Sequence, residues 1–324
     1  MKSRLPRTLA ALVLLPCITA FAQPAYPTRP IRIIVPYAAG GAADITARVV
    51  GQKMAEGLGV PVIIDNKPGA NGMLGTDAVA KSPPDGYTLG IVASGPLVVN
   101  PVLYLKVPYD PVKDLTAIGQ LTSYQYALVV PAGSTIRSVP QLVAQGKARP
   151  GQLSYGSTGV GGGGHLAGVM LGQMSGAAFT HVPYKGAAPA LNDLLGGSLS
   201  FTFDTVVTAA PHIKAGKLRA FAVSGAARAS ALPDLPTMEE LGYKGFNITQ
   251  FQGLIAPART PAAIIDRLHA EMVKALKAPS VVERLVTEGG NQIVGSSPAE
   301  FERQIKDDLS LYGQLIRTAK IQPE

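Results

Sequence analysis

Apolar runs of four to six residues alternate along the chain with stretches whose apolar side chains return every three or four positions. That rhythm predicts an α/β fold built on mostly parallel sheets. Ile31 to Val35 reads as a strand, and Ile45, Val49 and Leu58 stripe the helix behind it. Val60 to Ile64 is the next expected strand, closed by the turn-rich Asn66-Lys67-Pro68-Gly69-Ala70-Asn71-Gly72. A short helix from Leu74 to Ala80, a turn at Pro83-Pro84-Asp85-Gly86 and a strand from Thr88 to Ala93 complete a first βαβ-type unit.

Between Asp114 and Pro131 the apolar run Tyr126-Ala127-Leu128-Val129-Val130 stands out, after which the rhythm restarts. A helix is expected over Val139 to Gln145, strands over Leu153 to Gly156, Phe179 to Tyr184, Leu199 to Phe203 and Leu218 to Val223, and a helix over Pro189 to Leu195. Phe251 to Ala256 reads as the passage back to the first unit. Two amphipathic helices close the chain. In one, Thr260 caps, Pro261 takes the first helical position, and Ile264, Leu268, Met272 and Leu276 form the stripe. The other opens on the capping box Ser297-Pro298-Ala299-Glu300 and continues through Phe301, Ile305, Leu309, Tyr312 and Ile316. Some 300 residues exceed what one core usually serves. Two domains are expected: residues 23–124 with 248–324, and residues 125–247.

The first 22 residues change the picture of where the chain works. Lys2, Arg4 and Arg7 precede an apolar stretch from Leu9 to Leu15, and Ala20-Phe21-Ala22 fits signal-peptidase cleavage, so a periplasmic protein starting near Gln23 is expected. Cys17 is the only cysteine and leaves with the leader, which removes disulfides, thiolate chemistry and cysteine metal sites together. The formal net charge of +8 loses Lys2, Arg4 and Arg7 with the leader and becomes +5, spread without a basic run or interleaved aromatics. Nucleic-acid binding is disfavoured on that ground. Beyond the leader, no apolar stretch approaches the roughly 18 residues of a membrane span.

Catalytic constellations are missing. There is no Gly-x-Ser-x-Gly elbow, no phosphate loop of the Gly-x4-Gly-Lys type and no His-Glu-x-x-His, and His165, His181, His212 and His269 never pair at helical spacing. No metal or cofactor is expected. What does stand out is a pair of glycine-rich turns, Val35 to Asp44 and Ser154 to His165, each leading from an apolar extended run into a helix. Helix starts of this kind present unpaired backbone N–H groups and the positive end of the macrodipole, which favour an anion. Gly40-Gly41 alone also fits a plain tight connection. Gly159 and Gly161 to Gly164 cost conformational entropy on ordering, which mere connection explains poorly. His165 fits equally a ligand contact and a brace for its own helix.

These residues also carry a family resemblance. Tyr26-Pro27, Pro30-Ile31-Arg32, Val35 through Asp44 with Arg48, Asn66-Lys67-Pro68-Gly69-Ala70, and Pro84-Asp85-Gly86-Tyr87-Thr88-Leu89 resemble the Bug-type receptors of tripartite tricarboxylate transporters. The likeness continues through Tyr155-Gly156-Ser157-Thr158-Gly159, His165-Leu166-Ala167, His181 to Gly186, Asp193 to Gly197 and Phe203-Asp204. It covers essentially the whole mature chain. Two departures are visible: Val169-Met170 where an acidic residue often precedes an apolar one, and Lys67 where arginine is common.

The resemblance implies a two-lobed, type II-like periplasmic binding protein that holds a small carboxylate in the cleft between its lobes, without catalysis and as a monomer. Carried onto this chain, the first loop maps to Tyr37, Ala38, Gly40, Gly41 and Asp44, and the second to Ser157, Thr158, Gly159, Gly161 and His165. Ser94 and Asn100 complete the cleft from the first domain, and Tyr184, Lys185, Gly186 and Asp204 from the second. Backbone amides with the Ser157 and Thr158 hydroxyls would grip the carboxylate. Asp204 either accepts from a ligand ammonium or hydroxyl, or braces the loop Gly159 to Gly164. The implied partners are a membrane transporter or sensor. An exported enzyme acting on a carboxylate through Asp204, His165 or Lys185, and an export-associated module without a small ligand, are the alternatives.

Overall fold

The computed structural model describes residues 26–318; the leader, Cys17 and the cleavage site near Ala22 lie outside the described residues. The first part of the chain runs β1 (Ile31–Val35), α1 (Ala42–Leu58), β2 (Val62–Asn66), α2 (Met73–Ala80), β3 (Thr88–Ala93) and α3 (Asn100–Leu103), and then enters β4 (Leu115–Pro131). Next come α4 (Val139–Ala148), β5 (Ser154–Ser157), α5 (Gly163–Ser175), β6 (Thr180–Pro183), α6 (Ala187–Leu195), β7 (Phe201–Thr205), α7 (Val206–Lys214) and β8 (Leu218–Val223). The chain returns through β9 (Thr249–Pro257) and ends with α8 (Ala262–Leu276), α9 (Pro279–Val282), β10 (Gln292–Ile293) and α10 (Pro298–Thr318).

The strands order as β2-β1-β3-β9-β4-β7-β5-β6, with β8 and β10 also pairing β4. Each half carries the expected parallel trio: β1 between β2 and β3, and β5 between β6 and β7. The strands that join the halves, β9 and β4, are antiparallel to their neighbours. β4 serves both. Leu115 to Gln125 pairs β9, and Tyr126 to Pro131 pairs β7 and β8. Only its second part was legible as an apolar run. The first is broken by register shifts at Ala117/Gly119 and Gln120/Thr122, which disturb the two-residue alternation that marks a strand.

Other boundaries moved for local reasons. β2 starts at Val62 rather than Val60, because Pro61 has no N–H to give the ladder and contributes only its carbonyl, which accepts from the Ile31 N–H (3.0 Å). Thr260 does not cap α8: its hydroxyl donates to the Pro257 carbonyl (2.8 Å), and Pro261 itself occupies the cap position. The Ser297 capping box forms as expected, the Ser297 N–H donating to Glu300 Oε2 (2.8 Å) and the Glu300 N–H to Ser297 Oγ (3.3 Å). Helix α7 was not foreseen, since it follows β7 with no loop and contains Pro211.

Helices α1 and α8 bury Val50, Met54, Leu268 and Met272 against one face of the first half-sheet, while α10 covers the other face. There the rings of Phe251 and Phe301 meet edge to face at 5.3 Å between centroids. Each such fully buried side chain stabilises the fold by about 1.5–3 kcal/mol. Gly253 on β9 is what lets Phe301 come this close: a Cβ there would collide with the Phe301 ring. We expect Gly253→Ala to cost about 1–3 kcal/mol through overpacking and to lower Tm by several degrees, measured by calorimetry. An unchanged Tm would show that α10 does not rest on β9 in this way.

A cavity ringed by helix N-termini

Four helices start where a parallel strand ends: α1 after β1, α5 after β5, α6 after β6 and α7 after β7. In such units the crevice outside the carboxyl ends of the strands is the natural ligand position. All four helices open on one cavity there, through Gly41, Ala42 and Ala43 of α1, Gly162 and Gly164 of α5, Ala187 of α6 and Thr205 at the cap of α7. First-turn amides have no acceptor within their own helix, so four partial positive charges face a common space. Among the described residues, no lysine, arginine or histidine lines it. Tyr37, Tyr124, Tyr126 and Phe203 form aromatic walls, and Thr158, Thr202, Asp204, Gln250 and Gln252 add polar groups. Its volume is about 40 Å³ on a scale where one water needs roughly 10–15 Å³, room for about three waters.

Of the residues singled out in the sequence, Tyr37, Gly41, Ser157, Thr158 and Asp204 line this cavity. The others stand behind the lining and hold it in shape. Asp44 accepts from the Gly40 N–H (2.9 Å) and from Asn66 Nδ2 (3.0 Å), and pairs with Arg48 (2.9 Å). Burial pushes its carboxyl up, but Arg48, the Gly40 amide and Asn66 together outweigh that and hold it below the usual range. Its charge is thus committed to the first turn and not offered to the cavity. Lys67, the other departure, reaches only Asp65 (3.8 Å) at the surface.

The second turn is braced in the same manner. Gly159 and Gly161 have φ of +123° and +81°, conformations that favour glycine, and the Gly161 N–H donates to His165 Nδ1 (3.1 Å). Of the two roles open to His165, the geometry displays the brace. The Ser157 hydroxyl accepts from the Gly159 N–H (3.1 Å) and lies 2.7 Å from His181 Nε2, so it is engaged within the turn. Burial pushes the His181 ring down to about 4, which keeps it neutral near pH 7.

Ser94 and Asn100 are internal as well. Ser94 Oγ accepts from the Phe251 N–H (3.0 Å), tying the end of β3 to β9. Asn100 exchanges two hydrogen bonds with Asn71 (2.9 and 3.0 Å), holding Asn71 at φ +46° against Gly159. The Tyr184 hydroxyl donates outward to Asp193 (2.6 Å). Lys185 contributes its carbonyl, which accepts from the Ala38 N–H (3.2 Å), and Gly186 packs directly on Ala38. The Tyr104 hydroxyl likewise donates to the Val160 carbonyl (3.1 Å). The loops after β1 and β3 therefore touch those after β5 and β6, and the cavity is closed over.

Asp204 does not brace the glycine turn. Its Oδ2 accepts from the Thr208 hydroxyl (2.8 Å) on the helix that follows it. Burial pushes its carboxyl up to about 7, against the pull of Thr208 and the Thr205 amide. The structure also brings in residues that the sequence reading passed over: Tyr124 and Tyr126 from β4, Gln250 and Gln252 from β9. Their signal was present, as polar or amphipathic side chains two apart inside buried strands. A larger cavity, about 410 Å³ on the same scale, lies between α5 and α10 and takes Val169 and Met170 into its wall. Asp308 faces it and no helix begins there.

Together, the two parallel trios joined by antiparallel strands and the cation-free pocket between them define a two-lobed solute-binding protein. Residues 46–321 match the tripartite tricarboxylate transporter family receptor, TctC, and the chain belongs to that family of periplasmic binding receptors, which bind solutes and are not enzymes. It is 36% identical over 293 residues to Protein BugT of Bordetella pertussis, covering 90% of each chain. Among solved structures, R. palustris Rpa4515 with adipate superposes with a TM-score of 0.88 at 33% identity, over 92% of this chain and all of that one. MatC from Rhodopseudomonas palustris with bound malate gives 0.85 at 29%, over 90% of this chain and all of that one. Among the described residues no helix is long and apolar enough to cross a membrane.

The raised Asp204 carboxyl makes a signed prediction. The folded state keeps a proton that the unfolded chain, titrating near 3.8, releases, so this contribution is full below about pH 4 and is lost as pH rises to about 7. Asp204→Asn should match the wild type in Tm near pH 4 and exceed it increasingly up to pH 7, by on the order of 4 kcal/mol at most. Taking the difference between the two proteins cancels His181, whose lowered pKa acts in the opposite sense. A difference independent of pH would mean that Asp204 is ionised throughout.

Proposed function

We propose that this receptor captures a small carboxylate in the cavity between its lobes and presents the closed complex to the membrane components of a tripartite transporter or to a sensor. The observation that carries this reading is the convergence of four helix N-termini on a space lined by no cationic side chain. An anion there is held by backbone amides and hydroxyls, an arrangement strong enough for a carboxylate without an arginine. The malate and adipate in the two R. palustris proteins make short dicarboxylates the first ligands to try. In this reading residues 23–124 with 248–324 form one domain and 125–247 the other, hinged where β4 and β9 cross. Ligand joins the lobes already in contact at Ala38 and Lys185.

The ligand contacts we assign are the first-turn amides of α1 and α5, Tyr37 and Thr158, with Asp204 beside them. Asp44, Asn100 and His165 act by holding those amides in place. Of the three residues through which the enzyme alternative could act, Asp204, His165 or Lys185, only Asp204 is among the described residues that line the cavity.

Titration calorimetry with malate and adipate tests the site. Thr158→Ala should weaken binding about tenfold, the worth of one hydrogen bond to a charged group. Ala43→Asp, which sets a carboxylate at the start of α1, should abolish binding while the protein stays folded. Unaltered affinity in Ala43→Asp would overturn the site. Affinity should also fall as pH rises from 6 to 8, by at most about tenfold per unit, because Asp204 then ionises beside an anion. Asp204→Asn should flatten that profile, and a profile of the same slope in both proteins would remove Asp204 from the site.

A further inference from the structure

Gln252 is a polar side chain of the cavity whose hydrogen bonding is incomplete. It lies on β9 with 1% of its surface exposed, and among the described residues its carboxamide nitrogen has no hydrogen-bond partner. Its oxygen accepts from the Thr122 hydroxyl of β4 (3.4 Å). In this arrangement the oxygen is turned toward β4 and the two N–H bonds lie elsewhere. On the other side, Gln252 pairs in register with Ala93 of β3, whose methyl group is too small to cover the carboxamide, and Ala93 lines the same cavity. A buried donor left unpaired is costly, so such groups in native proteins are regularly satisfied by something that binds. The nitrogen of its neighbour Gln250 is likewise unpartnered among the described residues while its oxygen accepts from the Tyr126 hydroxyl (2.9 Å), but Gln250 borders both cavities, so it is not a reader of this one alone.

We infer that Gln252 is a specificity-determining residue of the cleft, its amide N–H groups donating to an acceptor oxygen on the ligand's second polar group, so that acids with a second carboxylate are selected over those ending in a methyl or an ammonium. The inference rests on the reading of the cavity as a carboxylate site. The helix N-termini bind a carboxylate wherever it comes from and do not tell one acid from another. Gln252 is neutral and donates only through its nitrogen. An oxyanion accepts from it, an ammonium has no lone pair to offer it, and a methyl leaves it unpaired. Selectivity of this kind, in which the wrong ligand strands a buried donor, is larger than selectivity by shape alone.

The experiment is titration calorimetry on the mature protein with two pairs of acids matched in chain length, succinate with butyrate and adipate with hexanoate, together with 4-aminobutyrate. The wild type should bind at least one dicarboxylate ten times or more tighter than its matched monocarboxylate. Gln252→Leu, which keeps the bulk and removes the donor, should weaken that dicarboxylate tenfold or more and change the monocarboxylate by less than threefold. Gln252→Glu keeps the acceptor oxygen for Thr122 and replaces the donor with charge. It should abolish dicarboxylate binding and improve 4-aminobutyrate relative to the wild type, a gain that a misfolded variant cannot show. Equal weakening of both members of a pair in Gln252→Leu, or weakening of neither, would overturn the role of Gln252 while leaving the carboxylate site intact. A wild type that binds no acid of the set would instead overturn the carboxylate reading, and this inference with it.

Discussion

The structure depends on the direction of its βα connections. A parallel strand followed by a helix delivers the helix N-terminus to the carboxyl end of the strand, and here that happens four times around one point. Each helix start brings amides that its own turn cannot satisfy. The site is therefore made by the backbone before any side chain is chosen. It attracts an anion without a cation, which spares the protein the cost of burying lysine or arginine in a space that must also be empty at times.

A site built from amides is only as well defined as the turns that carry them, and most polar residues near the cavity serve those turns. Asp44 with Arg48 and Asn66 fixes the start of α1, Asn100 fixes Asn71, and His165 fixes Gly161. These are the residues that look reactive when the chain is read as text. Their hydrogen bonds are spent on neighbouring backbone and side chains, where they hold the turns in place. The residues that line the cavity are plain by comparison: small side chains at helix starts, a threonine, aromatic walls and glutamines on a strand.

The proposed capture and release would place a second demand on the fold, because both halves would share the site and yet separate. The long strand β4 answers the first part, pairing β9 with its first eleven residues and β7 and β8 with the rest. Contacts across the mouth bear on the second part. The Ala38 N–H donates to the Lys185 carbonyl, the Tyr104 hydroxyl donates to the Val160 carbonyl, Gly186 packs on Ala38, and Val160 and Leu166 are buried in one apolar cluster with Leu97, Val99 and Leu103.

The sequence by itself determined the α/β class, the parallel trio in each half, and the two glycine turns with the unpaired amides they offer, because each of these follows from local periodicity or from the chemistry of a helix start. The capping box at Ser297 and the apolar stripe of α8 are equally local, and both were legible. The tertiary structure decided which residues of those turns face the cavity and which stand behind. Nothing in the order of residues separates Tyr37 from Ala38 or Thr158 from Gly159. It also decided that β4 spans both halves and that Tyr124, Tyr126, Gln250 and Gln252 arrive on the cavity wall from strands far apart in the chain. The pairing of β4 with β9 brings together residues more than a hundred positions apart, and the exposure of one amide on that pair depends on a methyl group of a third strand. Such adjacency comes from the whole sheet, and no window of sequence contains it.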